Sequence, residues 1–213
     1  MKKLTTKQIL EIETRMIQQY DLNFQAFRDE VVDHIACEIE EYLEQGVEYT
    51  QAKQHVLGKW HFELKPVLGK QGIPTCIVKQ LYRKDAVFYL VFFLLFLMSW
   101  LLGSLQVLEF TPTPWVSFGC FLLAFLISVV VQKRFFKQKS YEMKFYMHVL
   151  GSVMLVNIIS LTVAMFHLRK DITQDVLLTP YHLFVVAVHL LILNVFFASQ
   201  VMQQYRKVKT QSI

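Results

Sequence analysis

Three kinds of feature are scarce or absent in this sequence of 213 residues, and each excludes a class of protein. Its only cysteines, Cys37, Cys76 and Cys120, have neither metal-site nor redox spacing, so no disulfide framework is expected. No G-x-S-x-G, H-E-x-x-H or P-loop sequence occurs, which argues against an enzyme and leaves no catalytic, cofactor-binding or metal-binding residue to name. The basic residues form no continuous face with interleaved aromatics, so we expect no direct binding of nucleic acid.

Charged residues are also absent from four long stretches, between Asp85 and Glu109, Glu109 and Lys133, Lys144 and Arg169, and Asp175 and Arg206. A helix needs about 20 apolar residues to cross the hydrocarbon core of a bilayer, and each stretch exceeds that length. The sequence therefore predicts four transmembrane helices, near 86–106, 115–131, 145–166 and 181–202. Because pumps and ion channels usually carry ionisable residues inside the membrane, these spans argue against an ion-coupled transporter.

Lys and Arg residues predict the orientation in the bilayer. They concentrate before the first span, in the second connection and in the tail, at Lys79, Arg83, Lys84, Lys133, Arg134, Lys137, Lys139, Lys144, Arg206, Lys207 and Lys209. The first connection has none, and the third has only Arg169 and Lys170. Since basic loops stay in the cytoplasm, both termini should be cytoplasmic. We also expect the N-terminus to be retained, because no apolar signal-peptide core follows Met1-Lys2-Lys3.

The fold class expected is all-α, with a small cytoplasmic helical domain over 1–74, an amphipathic linker helix over 75–85, a four-helix transmembrane bundle over 86–205 and a cytoplasmic tail over 206–213. Within the cytoplasmic domain, apolar residues at helical spacing predict three short helices. Their expected boundaries rest on a Thr5–Gln8 capping box, on Asn23 and Thr50 as starts of the second and third helices, and on Gly46 as the end of the second.

Residues 31–40 of the second helix read Val-Val-Asp-His-Ile-Ala-Cys-Glu-Ile-Glu and are followed by Gly46 and Ala52. This resembles the L-V-D-H-I-x-x-E-I-E … G … A pattern of the HAAS-like, or permease-prefix, domains at the N-terminus of bacterial membrane proteins. Val31 stands where that pattern has Leu. The resemblance covers about residues 5–60 and implies a regulatory module in the bacterial cytoplasmic membrane, often associated with a PadR-like transcription regulator. It implies no catalytic residue.

The same helix carries the candidate partner-binding surface, which consists of Asp33, His34, Glu38 and Glu41. His34 lies one turn from both Glu30 and Glu38, and Glu41 follows three residues after Glu38, so the four share a helical face, with Cys37 adjacent. Histidine and carboxylates at that spacing can also ligate a metal ion. Such a site needs ligands from another element, and only His55 and His61 are available in this domain. The simpler interpretation is a solvated acidic face.

Within the spans, the candidate polar contacts are Ser152, Asn157, His189 and Asn194. If the third and fourth spans are antiparallel, Asn157 lies level with His189, and Asn194 lies level with Ser152. We expect these pairs to hold the hairpin together, and the alternative is a polar track for a substrate or protons.

Two weaker patterns lie elsewhere. Ser99-x-x-x-Gly103 permits close helix approach. On the outer side, a cation or protons could be sensed by His167, Asp171, Asp175 and His182, although loop charges that face water are the commoner explanation.

These observations favour a membrane-anchored interaction or regulatory protein, whose partners are the lipid bilayer and a cytoplasmic protein. The alternative is an accessory subunit of a transporter or of a lipid-handling complex, in which the four spans bind the partner. A small-solute carrier that works as a dimer is a third hypothesis. The Phe-rich surfaces of the spans would also suit a homo-oligomer.

Overall fold

The computed structural model describes residues 3–66, 72–105, 113–137, 140–168 and 180–211, and within these ranges the chain is helical and contains no β-strand. The expected all-α class is therefore confirmed. The helices, numbered in chain order, are α1 (Thr6–Tyr20), α2 (Gln25–Glu44), α3 (Tyr49–Leu64), α4 (Thr75–Ser104), α5 (Pro114–Arg134), α6 (Tyr141–Leu168) and α7 (Pro180–Gln211). The chain divides into two compact units, Met1–Arg83 and Lys84–Ile213.

The N-terminal unit is held together by apolar residues that recur every fourth position. Ile12 and Met16 of α1, Ile35 and Ile39 of α2, and Val56 of α3 are buried almost completely. A spacing of four places two side chains on the same side of a helix, so each helix buries one stripe and leaves the other side in solvent.

Two of the expected helix boundaries in this unit are confirmed. The Thr5 hydroxyl accepts a hydrogen bond from the Gln8 amide at 3.4 Å, and the Gln8 side chain accepts one from the Thr5 amide at 2.8 Å, which completes the capping box of α1. Such a cap contributes about 1 kcal/mol. Gly46 follows the C-cap of α2 with φ of 87°, a left-handed conformation that glycine adopts without a steric penalty.

The other two boundaries differ from expectation. Asn23 does not cap α2, because its side-chain amide donates to the Asp21 carboxylate at 2.7 Å and Phe24 occupies the N-cap. The third helix begins one residue before Thr50, with Glu48 at its N-cap. The Thr50 hydroxyl instead donates to the Glu48 carboxylate at 2.9 Å. Both differences have a local cause. The side chains of Asn23 and Thr50 donate to the neighbouring carboxylates of Asp21 and Glu48, so neither one caps a helix.

The predicted linker helix and the first span are one element, since α4 runs without a break from Thr75 to Ser104. The predicted tail is helical for most of its length too, because α7 continues to Gln211. Proline begins both α5 and α7, at the first helical turn, where a missing amide hydrogen costs no hydrogen bond.

Four helices, α4 to α7, are long and apolar enough to cross a membrane. The prediction of four spans is confirmed on that basis. The most apolar 18-residue stretch of α4 has no buried residue. A long apolar helix with that exposure suits a lipid environment, in which apolar side chains lose nothing by facing outward.

Contacts between side chains give the directions of these helices. Phe88 of α4 stacks on Phe196 of α7 with ring centroids 3.6 Å apart, and Ser104 lies 3.2 Å from the His182 ring nitrogen, so α4 and α7 are antiparallel. We call the end of the bundle that holds Lys84 and Gln200 the proximal end, and the end that holds Ser104 and His182 the distal end.

A common core joins α5, α6 and α7. Phe121, Ala164, Ala187 and Leu190 form a buried apolar cluster in its distal half. Phe135, the C-cap residue of α5, contacts Tyr205 of α7 at the proximal end, with ring centroids 5.1 Å apart. The helix α5 is therefore parallel to α7, and α6, which enters from the proximal end, is antiparallel to both.

Candidate functional site

The predicted partner surface on α2 divides into two parts. Asp33 and Glu41 are exposed, as a solvated face requires. Glu38 is half-buried and accepts hydrogen bonds from two α3 residues, Lys59 Nζ at 3.0 Å and Trp60 Nε1 at 3.3 Å. The His34 ring stacks nearly parallel to Trp60, with centroids 6.4 Å apart. The structure thus joins His34 and Glu38 to the neighbouring helix, which sequence spacing alone did not reveal.

A small cleft opens beside this contact, with a volume of about 180 Å³, lined by Glu38, Lys59, Trp60 and Glu63. The groups that line it are two carboxylates, an indole ring and one lysine. The Glu38 carboxylate raises the pKa of Lys59, first through the hydrogen bond and then through its charge. A carboxylate next to an aromatic ring is a combination that binds organic cations, through charge and through the ring quadrupole.

The metal hypothesis gains no support from these positions. Within the ranges that the structure describes, no group of three or more His, Cys, Asp or Glu residues is arranged to hold a metal ion. His55 packs edge-on against Tyr42, and His61 lies 3.2 Å from the Tyr20 hydroxyl. Both rings that could have supplied ligands are therefore engaged with tyrosines.

The predicted polar pairs in the spans do not form. Ser152 is exposed and donates to the His148 carbonyl of its own helix at 3.3 Å. The Nδ1 atom of His189 lies 2.8 Å from the Val185 carbonyl, and its ring contacts two phenylalanines of α4 edge-on, Phe92 and Phe96. His189 therefore faces α4 and not the third span.

The two asparagines lie in the interior of α5, α6 and α7. Asn194 accepts a short hydrogen bond from the Ser128 hydroxyl and donates to the Leu190 carbonyl at 2.7 Å. Asn157 is fully buried, and neither polar atom of its side chain has a hydrogen-bond partner in the described part of the protein. An unpaired polar group in a membrane interior costs several kcal/mol, so this residue needs an explanation.

Ser128, Asn157 and Asn194 form one layer of the bundle, as the helical register shows. Phe121, Ala164 and Ala187 pack together, and the three polar residues lie seven positions from them, each toward the proximal end. Seven residues are about two helical turns, so each polar residue points in the same direction as its partner in the cluster, about 10.5 Å away. The sequence analysis did not identify Ser128 as a candidate. The signal available in the sequence was its position seven residues after Phe121, which places both side chains on the same side of α5.

A buried carboxylate lies at the proximal end of the bundle. Asp85 is 5% exposed and accepts a hydrogen bond of 2.7 Å from the hydroxyl of Tyr146, which is completely buried. In the sequence, Asp85 only marks the limit of an apolar stretch. The tyrosine on α6 that shelters it is 61 residues further along, and no local pattern connects the two.

The proposed sensing residues at the distal end are described only in part. His182 is buried, lies next to Ser104 and contacts the Trp100 ring with centroids 4.4 Å apart. The side chain of His167 and residues 171 and 175 lie outside the described residues.

Comparison with known proteins identifies no relative. No protein-family model matches the sequence, and no curated protein or solved structure is significantly similar to it. The HAAS-like resemblance of residues 31–52 therefore stays a prediction.

Proposed function

We propose that this protein is a membrane-anchored interaction protein whose N-terminal unit binds a basic region of a protein partner. The observation that carries the proposal is the cleft between α2 and α3, which Glu38 and Glu63 line together with Trp60. In this proposal the spans anchor that unit to the membrane.

The charge of α2 supports a basic partner. Of its 20 residues, one is basic, Arg28, and seven are acidic, namely Asp29, Glu30, Asp33, Glu38, Glu40, Glu41 and Glu44. The chain as a whole has a net charge of +5, so the charge of this helix is opposite in sign to that of the whole protein. An acidic surface of this kind raises the association rate of a basic partner and selects against acidic ones.

Lys59 occupies the position that a basic side chain of the partner would take. Its ion pair with Glu38 is 3.0 Å long, but 66% of the lysine side chain is exposed. Exposed ion pairs contribute little to stability, so a partner arginine or lysine can replace Lys59 at little cost. Arginine would add stacking on Trp60, because its guanidinium group is planar.

The expected setting of this interaction is the cytoplasmic face of a bacterial membrane, on the argument from Lys and Arg flanking the spans. A PadR-like regulator is the class of partner that the HAAS-like resemblance implies. The competing function, an accessory subunit bound through the spans, draws support from the exposed apolar side of α4.

The test compares two full-length variants in native membranes, with captured proteins identified by mass spectrometry. Glu41→Gln/Glu63→Gln removes one exposed acid of α2 and the exposed acid of α3 that lines the cleft. Thr14→Lys/Gln18→Lys is the matched control, because it changes the net charge by the same amount at exposed positions of α1.

We expect the first variant to lose a partner that the wild type and the control variant both capture. The lost partner should also dissociate from the wild type as the salt concentration rises, since exposed charges are screened. If both variants retain the same partners at all salt concentrations, the surface is not the binding site and the accessory-subunit hypothesis becomes the better one.

A further inference from the structure

The proximal end of the bundle carries an excess of positive charge. In the described part of the chain from Lys84 onward, eight basic side chains and two acidic ones lie at this end. The basic residues are Lys84, Lys133, Arg134, Lys137, Lys144, Arg206, Lys207 and Lys209, and the acidic residues are Asp85 and Glu142. The three ion pairs between described residues all lie in the N-terminal unit. A group of cations without matching acids attracts an anionic partner.

The ends of α5 and α7 bring four of these cations to one level. The Phe135 and Tyr205 rings are in contact, with centroids 5.1 Å apart. Arg134 directly precedes Phe135, and Arg206 directly follows Tyr205, so both arginines lie next to this contact. Both are exposed, as are the lysines beside them, and no described acidic residue forms an ion pair with any of the four. We call Lys133, Arg134, Arg206 and Lys207 the basic cluster.

The length of α5 places the basic cluster at the depth of the lipid headgroups. Trp115, in the first turn of α5 at the distal end, is 68% exposed, and tryptophan is enriched at membrane interfaces. From Trp115 to Arg134 the helix rises about 28 Å, since it advances about 1.5 Å per residue. The hydrocarbon core of a bilayer is about 30 Å thick, so Arg134 lies where the phosphate groups begin.

An exposed aromatic side chain lies beside the basic cluster. Phe136 follows the C-cap of α5 and is 80% exposed, more than any other large apolar residue that the structure describes. Lys137 comes next and is exposed too. A soluble anion would leave the Phe136 ring in water, whereas the acyl chains below a lipid headgroup would cover it. This ring therefore favours a lipid over a soluble anion as the ligand.

We propose that the basic cluster binds an anionic phospholipid of the leaflet at the proximal end, with Phe136 against its acyl chains. Guanidinium groups form paired hydrogen bonds to phosphate oxygens, and the lysines add positive charge. A zwitterionic phospholipid also has a phosphate, but its headgroup carries a cation that the cluster repels, so the site selects lipids of net negative charge. Because the cluster contains residues of both helices, the bound lipid joins the end of α5 to that of α7.

The test is native mass spectrometry of the full-length protein, released from detergent that contains equimolar phosphatidylglycerol and phosphatidylcholine with identical acyl chains. The ratio of the two lipids that the protein retains measures its selectivity. Arg134→Gln/Arg206→Gln removes one cation from each helix. Lys3→Gln/Lys7→Gln is the matched control, because it removes the same charge at exposed positions of the N-terminal unit.

We expect the wild type and the control variant to retain phosphatidylglycerol in preference to phosphatidylcholine, with the same ratio. The arginine variant should lower that ratio by about fivefold for each cation removed. If it does not fold, Lys133→Gln/Lys207→Gln replaces it with the same expectation. Phe136→Gln should lower the retained amount of both lipids and leave their ratio unchanged, because it removes apolar contact and no charge.

Three results would overturn the proposal. Equal retention of the two lipids by the wild type would show that the protein does not select anionic lipid. An unchanged ratio in the arginine variant, or an equal loss in the control variant, would show that the basic cluster is not the site. Displacement of phosphatidylglycerol by excess glycerol 1-phosphate, with Phe136→Gln behaving as the wild type, would identify a soluble anion as the ligand.

Discussion

Asp85 shows how the surroundings of one side chain can differ from what its place in the sequence suggests. By position it separates a polar segment from an apolar one, and such residues usually face water. In the structure its carboxylate is buried and accepts a hydrogen bond from Tyr146. Hydrogen bonds to a charged group contribute about 1.5–3 kcal/mol, and loss of the donor leaves the charge buried and unpaired.

We therefore expect Tyr146→Phe to lower the free energy of unfolding by about 1.5–3 kcal/mol, because it removes the donor and leaves the carboxylate in place. Asp85→Asn should cost less, since an amide oxygen still accepts the tyrosine proton. Denaturant unfolding of the full-length protein in the same detergent measures both. A larger loss for Asp85→Asn would show that another group stabilises the carboxylate.

At the scale of the element, α4 depends on a close approach to α7. The Ser99-x-x-x-Gly103 pattern permits such an approach, and the structure shows how it is used. Tyr181 of α7 lies over Gly103, and its hydroxyl donates to the Ser99 carbonyl at 3.1 Å. A methyl group added at Gly103 would overlap the tyrosine ring. The hydrogen bond fixes that ring, so it cannot easily move aside.

Gly103→Ala should therefore weaken the contact between α4 and α7 and destabilise the protein by about 1–3 kcal/mol. Gly119→Ala is the matched control, because it lies inside α5 and a methyl group there meets nothing within 4 Å. In a helix interior, that exchange should stabilise by about 0.5–1 kcal/mol. Thermal unfolding of both variants in the same detergent measures the two changes in stability. Equal changes would contradict the packing of Tyr181 against Gly103.

The axial position of α7 is a second feature of this kind. It explains why the predicted pairs, Asn157 with His189 and Asn194 with Ser152, do not form. Matching residues by depth assumed that the third and fourth spans enter the bilayer at the same level. The structure places Asn194, and not His189, in the layer of Asn157, which shifts α7 by five residues. His189 then points to α4, whose phenylalanines surround it. No single helix contains the information that sets such a shift.

For the whole molecule, the distribution of Lys and Arg predicts one orientation in the membrane. The hydrogen bond of 3.2 Å between Lys84 and Gln200 puts the start of the apolar part of α4 and the last part of α7 at the same end of the bundle. The basic residues that flank this end predict that it faces the cytoplasm.

A membrane-impermeant maleimide tests that orientation. In a variant that retains only the exposed Cys37, with Cys76→Ala and Cys120→Ala, we expect labelling only after the cells are opened. The matched control is Thr113→Cys in a cysteine-free background, which should react in intact cells because this exposed residue precedes α5 at the distal end. The opposite labelling pattern would reverse the assigned topology.

Sequence patterns alone predict the all-α class, the four spans, the capping box of α1 and the glycine that ends α2. Each of these depends on residues close together in the chain: the transfer of about 20 apolar residues into a bilayer, or a hydrogen bond between neighbours. The sequence analysis also singled out Asn157 and Asn194 as polar residues within apolar spans, and Glu38 as part of an acidic helix face.

The partners of these side chains, by contrast, follow from the tertiary structure. The Ser128–Asn194 bond, the burial of Asp85 under Tyr146 and the stacking of His34 on Trp60 all join different helices. Hydropathy and periodicity give the face that a helix buries, but they fix neither its rotation nor its axial shift against a neighbour to within one residue. Those two quantities depend on how whole helix surfaces fit together, and here they are set by small and bulky residues such as Gly103 and Phe121.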